Sequence, residues 1–395
     1  MLDRFPLAFS ANVIFGEGSA ATVGELALQY GKTAMVVTCP WPDVQVPQLK
    51  RVLRMLNDAG IRVVLFDRAR PNPTSALIDE AAAIARNERI DMVIGLGGGS
   101  AIDTAKGVSL CFAHDGGVWQ YTYAVENPCP IFPGKLLPVI AVTTTSGTGS
   151  HVTPYAVLQN TELRVKTCVV ATKAMTPSVA IVDPELMVSL PPYLTAVTGF
   201  DVFSHAFEAY ADDNSNPFVE LLALRAIEIT AKNLGAAYQD GTSKQARYNM
   251  AIADTLAGMC ITMNNTSMPH LIGQAIVGKC HEITHGQSLA IVYPAFMDYI
   301  LPFYEYEMAK VARLFDPSLA DAGDAQAASL LKGILIEWQR ELGILASGGS
   351  LEIPEDVMEE VIEETMRTCP FLTQKAGQSR DQVAAVIGRI WQQCL

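Results

Sequence analysis

The sequence lacks several features that would mark whole classes of protein. Its 395 residues contain no apolar run of 18 or more, so no transmembrane helix is expected. The first residues show no basic segment followed by a long apolar stretch, so we expect no signal peptide. Positive charge is scarce, because 41 acidic residues face 28 basic ones and leave a net charge of −13. This balance argues against nucleic-acid binding and against adhesion to anionic membranes.

Cysteine is also sparse. The eight cysteines are scattered, and no C-x-x-C pair occurs among them. Neither a disulfide framework nor a zinc ribbon is therefore predicted. We expect free thiols and a cytoplasmic location.

What the chain does contain is typical of a packed globular protein. Half of the residues are hydrophobic and 17% are charged, and the length suggests two or three domains. The first part alternates short apolar runs with helical patterns, which predicts a parallel sheet covered on both faces. The predicted strands are 33–38, 62–66, 92–96, 139–142 and 179–182. The intervening helices include 46–59 and 75–87.

The second part has a different pattern. A Pro-punctuated connector follows Asp183, and beyond it the apolar spacing predicts helices. These helices are 196–211, 216–237, 243–263, 267–278, 287–300, 304–314, 324–342, 354–367 and 379–393. The sequence thus predicts an α/β N-terminal domain over 1–187 and an all-helical C-terminal domain over 188–395.

Two glycine- and hydroxyl-rich turns follow predicted strands. Strand 92–96 runs into GGGS (97–100), where Ser100 and Asp103 resemble a helix-capping pair. A helix N-terminus after glycines suits a pyrophosphate. The second turn, TTTSGTGS (143–150), follows strand 139–142. Each turn alone is equally consistent with a plain structural loop, but the two together favour a dinucleotide site.

Histidine is rare, yet it is crowded. Of six histidines, three fall between His270 and His285. Asp201 and His205 lie four residues apart in a helical pattern, which places both side chains on one helix face. The candidate set is Asp201 with His205, His270 and His285. One carboxylate and three imidazoles suit Fe²⁺, Zn²⁺ or another divalent first-row metal, and the sequence does not choose between these ions. Unrelated core or surface histidines are the alternative.

Taken in order along the chain, these motifs are similar to the iron-containing (group III) alcohol dehydrogenase family. The matching segments are FGEGS (15–19), PNP (71–73), GGGSAIDTAK (97–106), TTTSGTGS (143–150), PSVAIVDPEL (177–186), TGFDVFSHAFEAY (198–210) and the histidine segment 270–286. The resemblance implies a Rossmann-like dinucleotide-binding domain with a parallel sheet, joined to an all-α metal-binding domain in the dehydroquinate synthase-like fold. It also implies an active site in the cleft between them.

The resemblance further implies which residues bind metal and cofactor. The implied metal ligands are Asp201, His205, His270 and His285. The implied cofactor contacts are Gly97, Gly98, Gly99 and Ser100 at the pyrophosphate, with Asp103 beside them, Thr143, Thr144 and Thr148 along the ribose and nicotinamide, and Asn72 and Lys166 by position alone. The cofactor would be NAD. NADP stays open, because many NAD-preferring relatives carry an Asp directly after this strand that repels the 2′-phosphate, whereas here no acid follows strand 33–38 until Asp43. His281 is a candidate for passing the alcohol proton to solvent.

Two positions and one spacing depart from the family pattern. His151 stands where members often carry an acid, and it could contact cofactor or substrate or be merely tolerated. Gln274 stands where many members have a second histidine. The spacing from His270 to His285 is about one residue longer than usual, so His281 competes as a ligand. We favour His285 because Gly286 follows it, as in the family.

The implied activity is hydride transfer between nicotinamide C4 and a small primary alcohol or aldehyde held on the metal. An aldehyde with a carboxylate, sulfonate or phosphonate tail is an alternative substrate. Its anionic tail would need a basic partner, and the basic residues His151, Lys279 and His281 lie in or near motif segments. A non-redox, NAD- and metal-dependent lyase of the same fold is a second alternative, and a silent binding protein is a third. No nucleic-acid or membrane partner is expected. We expect the chain to form a homodimer or a higher homo-oligomer.

Overall fold

The computed structural model describes residues 11–40, 46–345, 353–367 and 379–394. Contacts within the chain divide these residues into two compact units. The α/β unit runs from residue 11 to Leu190 and includes Thr242–Ala251. The helical unit comprises Pro191–Gly241 and the described residues from Ile252 onward. The expected domain limits, 1–187 and 188–395, stay a prediction.

A parallel sheet forms the centre of the α/β unit. Its strands, with those of a separate hairpin, are β1 (Asn12–Phe15), β2 (Thr33–Val37), β3 (Arg62–Phe66), β4 (Met92–Gly97), β5 (Val139–Thr143), β6 (Val157–Asn160), β7 (Val165–Cys168) and β8 (Val179–Val182). Six of them pair in the order β1-β8-β5-β4-β2-β3, and every pair is parallel. The antiparallel hairpin is β6–β7. The predicted parallel sheet is confirmed, and the sequence missed β1 and the hairpin.

Helices cover both faces of this sheet. They are α1 (Val23–Leu28), α2 (Val46–Asp58), α3 (Ser75–Glu88) and α4 (Gly99–Ala113). Side chains of α1 and α2 pack with Ile94 of β4, while those of α3 and α4 pack with the adjacent Val93. Because neighbouring strand residues point to opposite faces, a strand covered on both sides must be apolar throughout. Both β4 and β5 are buried at every residue.

The end of β8 is tied to the turn after β1 by one buried carboxylate. The Asp183 oxygens accept hydrogen bonds from the backbone N–H groups of Gly18 and Ala20, each at 3.1 Å. Gly18 has a φ of +77°, which favours glycine. Two of the family-like segments, 15–19 and 177–186, therefore have a structural task, because they fix the edge of the sheet to its neighbour.

The helical unit contains nine helices within the described ranges, as predicted. They are α5 (Pro192–Tyr210), α6 (Pro217–Gln239), α7 (Lys244–Asn264, whose first residues belong to the α/β unit), α8 (Met268–Lys279), α9 (His285–Ile300), α10 (Glu305–Phe315), α11 (Asp324–Glu341), α12 (Met358–Arg367) and α13 (Arg380–Cys394). The expected start of α5 at 196 is four residues late. Every helix in the described part of the chain is too short or too polar to span a lipid bilayer.

Helix α5 is the core of the helical unit. It is buried at every residue from Gly199 to Tyr210. Its aromatic residues pack around Tyr293 of α9 at steep angles, with Phe200 and Phe203 ring centroids 5.2 and 5.7 Å from the Tyr293 ring. A helix buried on all sides lies in a protein core. Any polar side chain on this stretch is therefore desolvated and requires a partner.

Candidate metal centre and cofactor site

Two of the predicted ligands lie on α5. Asp201 and His205 are one helical turn apart, and both are buried, at 3% and 5% exposure. The Nε2 atom of His205 lies 3.7 Å from Oδ1 of Asp201. The spacing of four along a buried helix has placed both side chains on one face, as the sequence predicted.

The other two predicted ligands come from the starts of α8 and α9. His270 is the third residue of α8 and His285 is the first residue of α9. Their Nε2 atoms lie 3.2 and 3.8 Å from Asp201 Oδ1. The His270 ring stacks on His205 with centroids 4.5 Å apart. Asp201, His270 and His285 each offer a ligand atom within 4.8 Å of the others. His205 is not in that set of three, but it lies against Asp201 and the His270 ring, so the four predicted ligands are neighbours.

The arrangement fits a metal ion. Four ligand atoms about 2.1 Å from one ion in a tetrahedron lie roughly 3.4 Å from one another. The three nitrogen-to-oxygen distances to Asp201, from 3.2 to 3.8 Å, bracket that separation. In addition, Nδ1 of His270 lies 2.7 Å from a second buried carboxylate, Glu208. When Nδ1 donates to Glu208, the lone pair of Nε2 faces the Asp201 carboxylate. Both of these groups are acceptors, so they need a cation or a proton between them.

The electrostatics of the cluster agree with this fit. Burial lowers the pKa of His270, but Glu208 and Asp201 outweigh it and raise that pKa to about 9. Burial raises the pKa of Asp201, but His205, His270 and His285 outweigh it and hold that pKa well below its usual range. Positive charge is therefore favoured between the two carboxylates, and a divalent cation would supply it.

The start of α9 explains why His285 reaches the cluster. Thr284 and Gln287 form a reciprocal capping box that fixes the first turn. A Cβ atom on Gly286 would lie 2.2 Å from the carbonyl oxygen of Val197 on α5, so only glycine allows this approach. His281, the competing ligand, lies in an exposed turn between α8 and α9. It is not among the clustered residues of the described chain.

The three residues considered for an anionic substrate tail have different surroundings. Lys279 forms a 3.0 Å ion pair with Glu360. His151 is buried in the α/β unit, where burial and the nearby Lys106 lower its pKa to about 3. His281 is exposed. Lys279 is thus already neutralised, and His151 is uncharged near neutral pH.

The two predicted cofactor turns lie side by side at the carboxyl edge of the sheet. Strands β4 and β5 pair directly, with Gly97 opposite Thr143. The N–H of Thr144 donates to the Gly97 carbonyl at 3.1 Å. Gly97 has a φ of +151°, a conformation that other residues rarely adopt. The expected capping role of Ser100 is wrong, because α4 starts earlier: Gly98 is its N-cap and no side chain caps it.

Glycine is needed here for close contact. A Cβ atom on Gly98 would lie 2.9 Å from Thr145 Oγ1, and one on Gly99 would lie 2.6 Å from Thr148 Cγ2. The second turn therefore packs directly on the start of α4. The first N–H groups of a helix have no acceptor within it, and they bind anions readily. The start of α4, bordered by threonines of the second turn, could therefore hold a phosphate; this role stays a prediction.

A buried polar network holds the second turn in place. Both oxygens of Asp103 accept internal hydrogen bonds, one from Ser150 Oγ at 2.5 Å and one from Val157 N at 3.0 Å. Lys106 donates to Ser150 Oγ at 2.8 Å and to the Tyr155 carbonyl at 2.6 Å. Burial lowers the pKa of Lys106 to about 8, although Asp103 opposes this effect. The sequence did not single out Lys106 or Ser150.

The hairpin links the segment that carries Asn72 to the strand that carries Lys166. The N–H of Gln159 in β6 donates to the Pro73 carbonyl at 2.8 Å, and Gln159 pairs with Lys166 in β7. Asn72 has a φ of +54°. Contact of either residue with a cofactor stays a prediction. Asp43, which matters for the choice between NAD and NADP, lies outside the described residues.

Comparison with known proteins decides the family. The model of iron-containing alcohol dehydrogenases matches residues 10–184, and that of the C-terminal domain of Fe-containing alcohol dehydrogenases matches residues 195–391. The chain belongs to the iron-containing alcohol dehydrogenase family. It is 35% identical to 1,3-propanediol dehydrogenase of Klebsiella pneumoniae over 84% of each chain.

Solved structures agree with this membership. An archaeal halo-thermophilic alcohol dehydrogenase from a Red Sea brine pool, bound to NZQ, superposes with a TM-score of 0.92 at 33% identity and covers 100% of both chains. A sulfoacetaldehyde reductase of Bifidobacterium kashiwanohense in complex with NAD⁺ superposes with a TM-score of 0.83 at 26% identity and covers 99% of both. The expected fold, family and oxidoreductase activity as an alcohol dehydrogenase are confirmed. Membership implies that the enzyme uses a metal and NAD(H).

Proposed function

We propose that Asp201, His205, His270 and His285 hold one divalent ion, Fe²⁺ or Zn²⁺, at which a small primary alcohol or its aldehyde reacts with NAD(H). The observation that carries the proposal is the convergence of three Nε2 atoms on Asp201 Oδ1 within a buried core. A bound divalent ion supplies Lewis-acid polarisation of the substrate oxygen. Asp201 offsets one of its two charges and the neutral imidazoles none, which leaves positive charge for that oxygen.

The α/β unit would bind the cofactor. The N–H groups at the start of α4 would hold the pyrophosphate, and Thr143, Thr144 and Thr148 would border the ribose and nicotinamide. The cofactor carries the redox chemistry, so the residues of the enzyme align the two reacting carbons and exclude water. NAD(H) is our proposal over NADP(H), because the half-buried Cys39 after β2 offers no positive charge to a 2′-phosphate.

His281 remains the candidate for releasing the alcohol proton to solvent. Its exposure in the turn four residues before His285 suits exchange with water. A homodimer or larger homo-oligomer and a cytoplasmic location also remain predictions.

The proposal is tested by a substrate panel with both cofactors, after reconstitution of the metal-free enzyme with Fe²⁺ or Zn²⁺. The panel contains ethanol to butanol, 1,2- and 1,3-propanediol, and small aldehydes with and without anionic tails. We expect a change in NADH absorbance with a small primary alcohol or aldehyde, and only after metal loading. A metal-loaded enzyme that binds NAD⁺ yet produces no net NADH or NAD⁺ with any member would contradict it and favour the lyase.

Reduction of an aldehyde with an anionic tail is the second candidate. The likeness to a sulfoacetaldehyde reductase favours it, while the ion pair of Lys279 with Glu360 argues against that lysine as the anion-binding group. In the same panel, a kcat/KM for a sulfonate-tailed aldehyde well above that of a neutral aldehyde of equal length would establish this candidate.

A further inference from the structure

A second carboxylate on α5 is buried beside the metal ligands. Glu208 lies seven residues after Asp201 and three after His205, so it occupies the same helix face. It is 1% exposed. A glutamate is almost never fully buried unless its charge is paired. The partners of Glu208 therefore show its role.

Glu208 accepts hydrogen bonds from three residues. Its Oε2 accepts from the backbone N–H of Ser267 at 2.7 Å and from the Ser267 hydroxyl at 3.2 Å. Its Oε1 accepts from Nδ1 of His270 at 2.7 Å and from the Tyr293 hydroxyl at 3.4 Å. Ser267 is the N-cap of α8 but makes no side-chain cap bond, so Glu208 satisfies a donor at the start of that helix. One carboxylate thus joins α5 to the turn that carries His270.

This contact acts on the ring of His270. A carboxylate that accepts from one ring nitrogen fixes the proton there and leaves the other nitrogen free for a metal. It also prevents rotation of the ring and makes the ligating nitrogen more basic. We propose that Glu208 is a positioning residue of the metal centre: it holds His270 in the Nδ1–H form and directs Nε2 at the ion. The inference rests on the proposed metal site.

The first test is the Glu208→Gln variant, which keeps the size of the side chain and removes its charge. Dissociation constants for Zn²⁺ are measured by competition with a coloured chelator. We expect binding about 10- to 100-fold weaker than in the wild type. The matched control is Glu228→Gln, a partly exposed glutamate of α6 in the same unit that pairs with Lys232, for which we expect a change below about twofold. Unchanged zinc binding in a folded Glu208→Gln protein overturns the proposal.

A second measurement decides the matter if Glu208→Gln does not fold. Two-bond ¹H–¹⁵N spectra of zinc-loaded wild-type protein report which nitrogen of each histidine carries hydrogen. We expect His270 to show protonated Nδ1 and zinc-bound Nε2. A ring protonated on Nε2, or ligated through Nδ1, overturns the proposal. Wild-type protein that binds no zinc instead overturns the proposed metal site itself, so the two failures are distinguishable.

Discussion

The helical unit and the α/β unit present different chemical groups at the residues proposed to bind metal and cofactor. The helical unit presents side chains, with three imidazoles and a carboxylate converging from α5, α8 and α9. The α/β unit presents main chain, with glycines that let one turn pack on the start of α4. Removing side-chain atoms should therefore destroy the proposed metal site, while adding side-chain atoms should damage the proposed cofactor site.

The difference also explains how an acidic protein can bind a dianionic cofactor. The net charge is −13, yet backbone N–H groups at a helix start attract phosphate without a basic patch. In the helical unit, in contrast, the buried carboxylates of Asp201 and Glu208 lie where a cation is needed. The charge that matters is local, and three changes test this division between the two units.

The largest effect is expected at Asp201. Replacing it by alanine removes the oxygen on which all three histidines converge, so zinc content should fall from about one ion per chain to none. We expect kcat/KM to fall at least about 1,000-fold. Circular dichroism should show the fold retained. The matched control is Asp298→Ala, an exposed carboxylate of α9 paired with Lys332, which should keep both metal and activity. Wild-type-like turnover in Asp201→Ala would refute the ligand assignment.

The second effect is a pH dependence of the metal-free protein. The pKa of His270 rises from 6.5 to about 9 in the fold, which corresponds to roughly 3 kcal/mol of stability. Because the folded pKa is the higher one, this stabilisation is complete below pH 6.5 and is lost as the pH rises through 9. The thermal midpoint of metal-free wild type should therefore fall across this window relative to that of His270→Gln. Parallel pH profiles for the two proteins would contradict the buried charge network.

The third effect separates the two sites from each other. In Gly99→Ala the new Cβ would lie 2.6 Å from Thr148, so the start of α4 must move away from the second turn. We expect the KM for NADH to rise about tenfold, with zinc affinity unchanged. The control is Gly134→Ala in the same unit, where nothing lies within 4 Å of the added atom. Equal losses of zinc and NADH binding would show that the two sites are not independent in this way.

The parts of the fold that the sequence revealed are those with a strong period. The strands β4 and β5 are continuous apolar runs, and the helices of the second half keep a regular apolar spacing. The short strands β1, β6 and β7 have four residues each and mixed polarity, so tertiary pairing rather than pattern makes them strands.

The site divides in the same way. The four predicted ligands are rare residue types at informative spacings. Glu208 was missed because a glutamate in a helix is ordinary, and only its place on the face of Asp201 and His205 could have signalled it. The contact between Lys106 and Ser150 spans 44 residues and depends on the pairing of β4 with β5, so no local pattern reveals it. The start of α4 was misplaced because serine is the commoner cap, whereas Gly98 takes that position here.

The most direct test of the central claim is an anomalous diffraction map from crystals of the active, zinc-loaded enzyme, with data collected on both sides of the zinc absorption edge. We expect one strong peak per chain, within about 2.3 Å of an Asp201 oxygen and of the Nε2 atoms of His205, His270 and His285. A peak bonded to other residues, or no peak in crystals whose dissolved protein is fully active, would contradict it.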